Sequence, residues 1–224
     1  KFLKKSIENR CKDAIIYYFK LLLKGQVIPQ NLNKAKKFIG IIFKNEDDDL
    51  YFLLYGKLLK KEKLFEDAQA VIEKSLKSDK SEILYEYGKL LHRKDSNSDK
   101  ENSEYYFKKA IEKGYLPAMH KYGMILINEE KKLDEGLKYL KMAADLNYPK
   151  SCYQYSLKLN ENNNDAEYKK YIEIAAKNGH IKGMYLYGFI LQDYEESLKY
   201  FKKSADKGCI ESIFEYGFIL YNKN

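Results

Sequence analysis

Apolar residues along this chain return every three or four positions, the spacing of one face of a helix. Ala118, Tyr122, Ile125 and Leu126 make one such stripe, and an aromatic residue followed by a small one recurs inside it throughout the sequence. The copies are Tyr55-Gly56, Tyr87-Gly88, Tyr122-Gly123, Tyr155-Ser156, Tyr187-Gly188 and Tyr216-Gly217, with a worn one at Tyr18-Phe19. Successive tyrosines lie 37, 32, 35, 33, 32 and 29 residues apart. A second ladder runs between them: Ala35/Phe38/Ile42, Ala68/Ile72/Ser75, Ser103/Phe107/Ala110, Gly136/Leu140/Ala143, Tyr168/Ile172/Ala175 and Ser197/Phe201/Ser204. Each unit therefore predicts two helices. A helical hairpin of about 34 residues cannot bury its own stripe and must lean on its neighbours. The expectation is an all-α solenoid of six to seven stacked repeats, with units near 10–46, 47–80, 81–115, 116–148, 149–180 and 181–209 and an incomplete one at 210–224.

Glycine inside a helix costs about 1 kcal/mol, so its return at one position needs a cause. Close approach of the partner helix supplies one. The small residues Ala110, Ala143/Ala144, Ala175/Ala176 and Ser204/Ala205 offer a flat surface for that approach. Capping signals agree: Ser98-x-x-Glu101 and Asp193-x-x-Glu196 read as capping boxes. Gly114, Gly179, Gly208 and Asn147 suit the left-handed residue after a helix, and Pro117 and Pro149 the first turn of the next.

Composition supports helix and removes alternatives. Only 12 glycines and 3 prolines occur in 224 residues, a poor supply of chain breakers. No apolar run approaches the ~20 residues of a membrane span. Three cysteines, Cys11, Cys152 and Cys209, are too few and too far apart for a disulfide framework or a zinc knuckle, which points to a reducing, cytoplasmic compartment.

The pattern A-x-x-x-Y-G-x-x-L, followed by a helix ending Y-F-K-K-A-x-x-x-G, resembles the Sel1-like repeat, a relative of the tetratricopeptide repeat. Its clearest copies are Ala118 to Asn147 and Gly183 to Gly208. Residues 47–224 follow it well and 10–46 poorly. Unit 149–180 departs through Ser156 in place of glycine, and unit 47–80 through Ser78 and Asp79 where a glycine is expected. The resemblance implies a non-catalytic protein-interaction scaffold with a concave binding face. The last unit has one helix, its Ile210, Ile213, Phe214, Phe218 and Ile219 lack a partner, and the chain begins at Lys1. The sequence therefore reads as a fragment of a longer protein.

If first helices face inward, as the resemblance implies, residues two before and two after each anchor tyrosine line the groove. Lys20, Lys57 and Lys89 fall at one end. Tyr85, His120, Tyr153, Tyr185, Phe189, Phe214 and Phe218 give the rest an aromatic character, suited to recognition because large rings bury area at small entropic cost. A partner protein or peptide segment with acidic residues toward the lysines and apolar anchors toward the rings is the expected occupant. The alternative is that these rings simply pack neighbouring helices and the lysines form a solvated face.

Catalytic signatures are missing from the sequence. His92, His120 and His180 sit in different units with no HxxxH, HExxH or Cys-x-x-Cys spacing for a metal. His92-Arg93-Lys94-Asp95 departs from a kinase loop by an inserted lysine. Glu46-Asp47-Asp48-Asp49 reads as a solvated turn with a capping Asp, since a calcium loop needs alternating ligands and a glycine. Cys152 and Cys209 read as core or turn residues. No enzyme and no cofactor is expected. Net charge +8 and 22 tyrosines open a second class, single-stranded RNA binding, but the inward positions are mostly apolar where base reading needs polar groups. A third reading is an interaction arm of a larger enzyme, such as a kinase or ubiquitin-ligase assembly. Most of the positive excess lies in the first half, where an acidic partner would meet the chain. Lys1, Lys4 and Lys5 are too few to mark a lipid-binding tail.

Overall fold

A computed structural model describes residues 7, 11–25, 27–42, 48–94, 96–129, 132–161 and 165–222. Lys1, Lys4, Lys5, Glu46, Asp47 and Asp95 lie outside the described residues, as does the side chain of Ile42. Among the described residues the secondary structure is helical throughout, without a strand. The chain divides into two compact units, residues 1–115 and 116–224, at one of the expected repeat boundaries.

The first unit holds α1 (Lys12–Lys24), α2 (Leu32–Ile42), α3 (Asp49–Lys61), α4 (Phe65–Glu73), α5 (Ser81–Leu91) and α6 (Asn97–Glu112), with a short 3-10 turn at Leu76–Ser78. Each helix packs on the next. Phe19, Leu22, Ala35, Ile39, Leu54 and Leu58 make one part of its core, and Leu53, Ala68, Ile72, Ile83, Tyr87 and Leu90 another.

The second unit holds α7 (Leu116–Ile127), α8 (Leu133–Asp145), α9 (Pro149–Glu161), α10 (Asp165–Lys177), α11 (Ile181–Ile190), α12 (Tyr194–Ala205) and α13 (Ile210–Asn222), again packed in sequence. Its core runs through Ala144, Cys152, Tyr171 and Ala175, then Ile172, Met184, Tyr187 and Tyr200. Both units are stacks of helix pairs, the architecture of an α-solenoid.

The recurring glycine marks where a second helix crosses the first. A Cβ on Gly88 would stand 3.3 Å from the Ser103 carbonyl oxygen and 3.4 Å from the Phe107 ring. On Gly123 it would meet the Gly136 oxygen at 2.9 Å, and on Gly188 the Phe201 ring at 2.8 Å. Ser103 and Ser197 reinforce the crossings by donating their hydroxyls to the carbonyls of Gly88 and Gly188, at 2.8 and 2.6 Å.

The small residues expected to face these glycines do something else. Within a pair, each glycine meets the first two rungs of the second-helix ladder: Ala68 and Ile72, Ser103 and Phe107, Gly136 and Leu140, with Phe201 at Gly188. Small residues one or two turns further on face the next pair. A Cβ on Gly183 would lie 3.0 Å from that of Ala175, and the Cys152 thiol donates to the Ala144 carbonyl at 3.4 Å. Small therefore meets small both between repeats and within them, as at Gly123 and Gly136, and within a pair a large rung such as Ile72, Phe107 or Phe201 packs beside the same notch. In the first repeat the buried rung is Ile39 rather than Phe38, which stays half exposed, because the ladder keeps its four-residue step from Ala35.

Helix ends explain the register. Asp48 and Asp193 cap α3 and α12 by accepting from the amides of Leu50 and Glu196, at 2.8 and 2.7 Å. Gly114, Gly179, Gly208 and Asn147 adopt φ of +73°, +85°, +85° and +59° after second helices. Asp79, which replaces the expected glycine, takes φ +50° and still makes the turn. The cap of α6 is Ser96, not Ser98: its hydroxyl accepts from the Asp99 amide at 3.1 Å, so the helix starts two residues earlier and Ser98 lies inside it.

Candidate partner-binding groove

The expected groove residues follow from which side of each first helix turns away from its pair. In the first unit the three lysines separate. Lys20 is exposed, while Lys57 pairs with Glu82. Lys89 lies 3.0 Å from Glu86 and 4.5 Å above the Tyr85 ring. Glu86 is 6% exposed and also pairs with Lys60. Burial alone would raise its pKa, but Lys60, Lys89 and Lys57 outweigh burial and hold the carboxyl below its usual range. Burial pushes the Lys89 amine down to about 8, with Glu86 opposing. Two of the three lysines thus have acidic partners within the chain, which removes the reason to expect an acidic ligand there. Tyr85 packs beside Phe107 and Tyr115, at ring separations of 6.1 and 5.3 Å.

In the second unit the candidate rings come together with groups that the sequence did not single out. His120 on α7 reaches Ser151 on α9, Nδ1 to Oγ 3.1 Å, and packs edge-on against Tyr148. Tyr153, about one turn into α9 and half-buried, stacks on His180 at 4.4 Å with the rings 26° from parallel. His180 is also the cap of α11, its Nδ1 accepting from the Gly183 amide at 3.1 Å. That bond fixes the ring, and the ring positions Tyr153. Tyr148, Tyr153, Gln154, Leu157, Asn178 and His180 then wall a cleft of about 720 Å³, with Lys150 and Lys182 at its margin. Burial first, and then the nearby Lys150, lower His120 and His180 to about 4, so both are neutral at physiological pH.

Tyr185 and Phe189 lie further along, edge to face at 5.1 Å, both touching Phe201. Phe189 keeps 55% of its surface exposed. Phe214 and Phe218 stand 6.2 Å apart on α13, 68% and 54% exposed. Of the thiols, Cys152 is buried in the core against which Tyr153 packs and raised to about 11 by burial, Cys209 is buried, and Cys11 is exposed. Among the described residues no cluster of His, Cys, Asp or Glu could hold a metal ion. Among the same residues no helix is long and apolar enough to cross a membrane.

One repeated element was legible but not read. Each of four anchor tyrosines meets the tyrosine that precedes the middle ladder residue: Tyr87 with Tyr106, Tyr122 with Tyr139, Tyr155 with Tyr171 and Tyr187 with Tyr200, edge to face at 4.8 to 5.1 Å with the rings 65° to 88° apart. A tyrosine recurring at that one offset was the signal. These pairs pack the first helix against the second within each repeat.

Stacked pairs, left-handed turns after second helices and glycine notches define the class: a helical-hairpin repeat protein. The Sel1 repeat model matches residues 12–39, 83–115, 116–148 and 183–209, just over half of the chain, and the protein belongs to that family. The match includes 12–39, the copy whose pattern looked weakest, and leaves out 47–80 and 149–180, the two with missing glycines. Similar solved structures agree on the fold. A protective antigen of uropathogenic Escherichia coli displaying an SLR fold aligns over 99% of this chain and 51% of its own, at 18% identity and TM-score 0.63. A Sel1 repeat protein from Oxalobacter formigenes aligns over 99% and 69%, at 18% identity and TM-score 0.64. The Pseudomonas aeruginosa pilF protein aligns over 99% and 100%, at 16% identity and TM-score 0.57. This chain spans about half the length of the E. coli protein. Among curated proteins none matches it.

Proposed function

We propose that this chain is a non-catalytic interaction scaffold that takes an extended partner segment along the α7, α9 and α11 side of its second unit. The observation that carries this reading is the cleft of about 720 Å³ between α9 and α11. Its walls combine apolar faces, from Tyr153, Leu157 and Tyr148, with amide groups of Gln154 and Asn178 that can pair with a peptide backbone. The His180 cap holds the main ring in place before any partner arrives, which limits the ordering cost of binding. Tyr185 and Phe189 extend the apolar surface beyond the cleft. The reading keeps apolar anchors in the partner and drops acidic ones, because Lys57 and Lys89 face Glu82 and Glu86. The same pairing weakens the RNA alternative, whose phosphates would compete for those amines. Three free thiols suit a reducing compartment such as the cytoplasm.

The test is selection of a random 12-residue peptide library on the immobilised chain, followed by affinity measurement on two variants. Gln154→Ala and Leu157→Ser should each weaken selected peptides at least tenfold while circular dichroism and melting stay close to wild type, whereas Tyr153, packed on the core, is left intact. Peptides that bind both variants as well as wild type, or a chain that selects none and instead retains single-stranded RNA with steep salt dependence, would contradict the proposal.

A further inference from the structure

Apart from that cleft, the first unit gathers three amines around two carboxylates. Lys57 pairs with Glu82, while Lys60 and Lys89 both pair with Glu86. Lys57 and Lys60 come from α3, and Glu82, Glu86 and Lys89 from α5. The shared part of the cluster is largely sheltered, with the side chains of Lys60, Lys89 and Glu86 23%, 27% and 8% exposed. One carboxylate cannot neutralise two ammonium groups. Like charges held this close, away from bulk water, favour the loss of a proton from one of them.

Lys89 is the amine that gives way. Its nitrogen lies 3.0 and 3.1 Å from the two oxygens of Glu86 and 4.5 Å above the Tyr85 ring, and both neighbours favour the charged form. Burial, with Lys60 in support, outweighs Glu86 and brings the amine to about 8. Tyr85 is itself held by Phe107 of α6 and by Tyr115, so the ring beneath the amine is fixed. A lysine attacks an electrophile only without its proton. At about pH 7.5 roughly one ordinary lysine amine in a thousand is neutral, against about a quarter of an amine that titrates near 8. The exposed part of the side chain leaves room for a small reagent to reach it.

We propose that Lys89 is an acylation site, taking a small acyl group from an activated donor, an acyl phosphate or an acyl thioester. The neutral amine attacks the carbonyl carbon of the donor and a C–N bond forms. The C–O or C–S bond breaks, and the phosphate or thiolate leaves with the electron pair and takes up the proton that the nitrogen sheds. The amide that results carries no charge, so Glu86 is left with Lys60 as its one cationic partner in the cluster.

Timed acetylation of the full chain tests this, with acetyl phosphate in one arm and acetyl coenzyme A in the other, read residue by residue by mass spectrometry. At about pH 7.5 Lys89 should be modified about tenfold faster than the exposed Lys24 and Lys100. That is less than the ratio of neutral amine, because a weaker base is a weaker nucleophile. The lead should shrink as the pH rises toward about 10 and vanish in guanidinium, where the cluster is gone. Lys60→Met leaves Glu86 to Lys89 alone and should slow Lys89 at about pH 7.5 without changing Lys24 or Lys100. A lysine that is merely accessible would not respond to that substitution. Reaction in one arm only supports the site and identifies its donor. The proposal is overturned if Lys89 reacts no faster than Lys24 and Lys100 with either donor, or if its lead survives guanidinium or Lys60→Met.

Discussion

Adding one methyl group at two glycines of the same repeat register should move stability in opposite directions. In α7, a Cβ on Gly123 would stand 2.9 Å from the Gly136 carbonyl oxygen and 3.2 Å from the Leu140 amide nitrogen. Both are backbone atoms of α8 and cannot swing aside. The reverse approach is as tight, with a Cβ on Gly136 at 2.7 Å from the Gly123 oxygen and 2.8 Å from the Ile127 nitrogen. Overpacking of this kind costs about 1–3 kcal/mol, against about 1 kcal/mol gained from replacing glycine by alanine inside a helix. Because the blocking atoms are backbone, the upper part of that range applies, and Gly123→Ala should lose about 1–2 kcal/mol. For a chain of this length that lowers Tm by about 2–8 °C. At Gly217 nothing opposes the methyl, so Gly217→Ala should stabilise α13 by up to about 1 kcal/mol. Guanidinium unfolding followed by circular dichroism measures the first. Hydrogen exchange of the α13 amides measures the second. The reasoning is refuted if Gly123→Ala is more stable than wild type, because its glycine would then have no packing cause.

Three further outcomes follow from the same geometry. Glu86→Ala removes the shared partner of Lys60 and Lys89, and should cost about 1–2 kcal/mol, less than a fully buried pair because both amines can turn toward water; it should also lower the Lys89 pKa further, as read by NMR titration. Acid should weaken the second unit through His120: its imidazole titrates near 4 when folded but near 6.5 when unfolded, so the unfolded chain takes up the proton first. Stability from this group is intact above pH 6.5 and falls as pH drops toward 4, by about 2 kcal/mol after allowance for partial exposure, and His120→Gln should flatten that slope in urea titrations. Among the described residues the buried Ser212 hydroxyl has no hydrogen-bond partner, in the position that Ala118 holds three repeats earlier, so Ser212→Ala should raise the opening free energy of α13 by about 1 kcal/mol in hydrogen exchange.

The repeat was readable because its signals are local. A glycine inside an apolar stripe, an Asp three residues before a Glu and a glycine or asparagine after a helix each act within one or two turns, and each recurs. Glycine notches and their large fillers were both visible, yet the pairing between them was not: which rung of the second helix meets the notch depends on crossing geometry, and the ladder alone is compatible with either end. The cap of α6 went to Ser96 because Ser96 and Ser98 offer the same hydroxyl and only the helix start distinguishes them. For the candidate groove, spacing named Tyr153 and His120 but not His180. That histidine reaches the cleft from a helix cap, a position set by backbone turn geometry rather than by the stripe. Lys57 looked free because Glu82 belongs to a different helix, whereas Glu86 and Lys89 stand at i, i+3 on one helix and their pair was open to the spacing; what the spacing did not show is that Lys60 of another helix shares Glu86.

The account turns on the Tyr153–His180 cleft as the place where a partner lies. The direct measurement is a chemical-shift map of the isotope-labelled chain titrated with a library-selected peptide. The largest changes should fall on Tyr148, Tyr153, Leu157, Asn178 and His180, fading toward the buried Tyr187–Tyr200 pair. Saturable binding whose changes instead centre on α12 or the first unit, with the cleft residues unmoved, would contradict it.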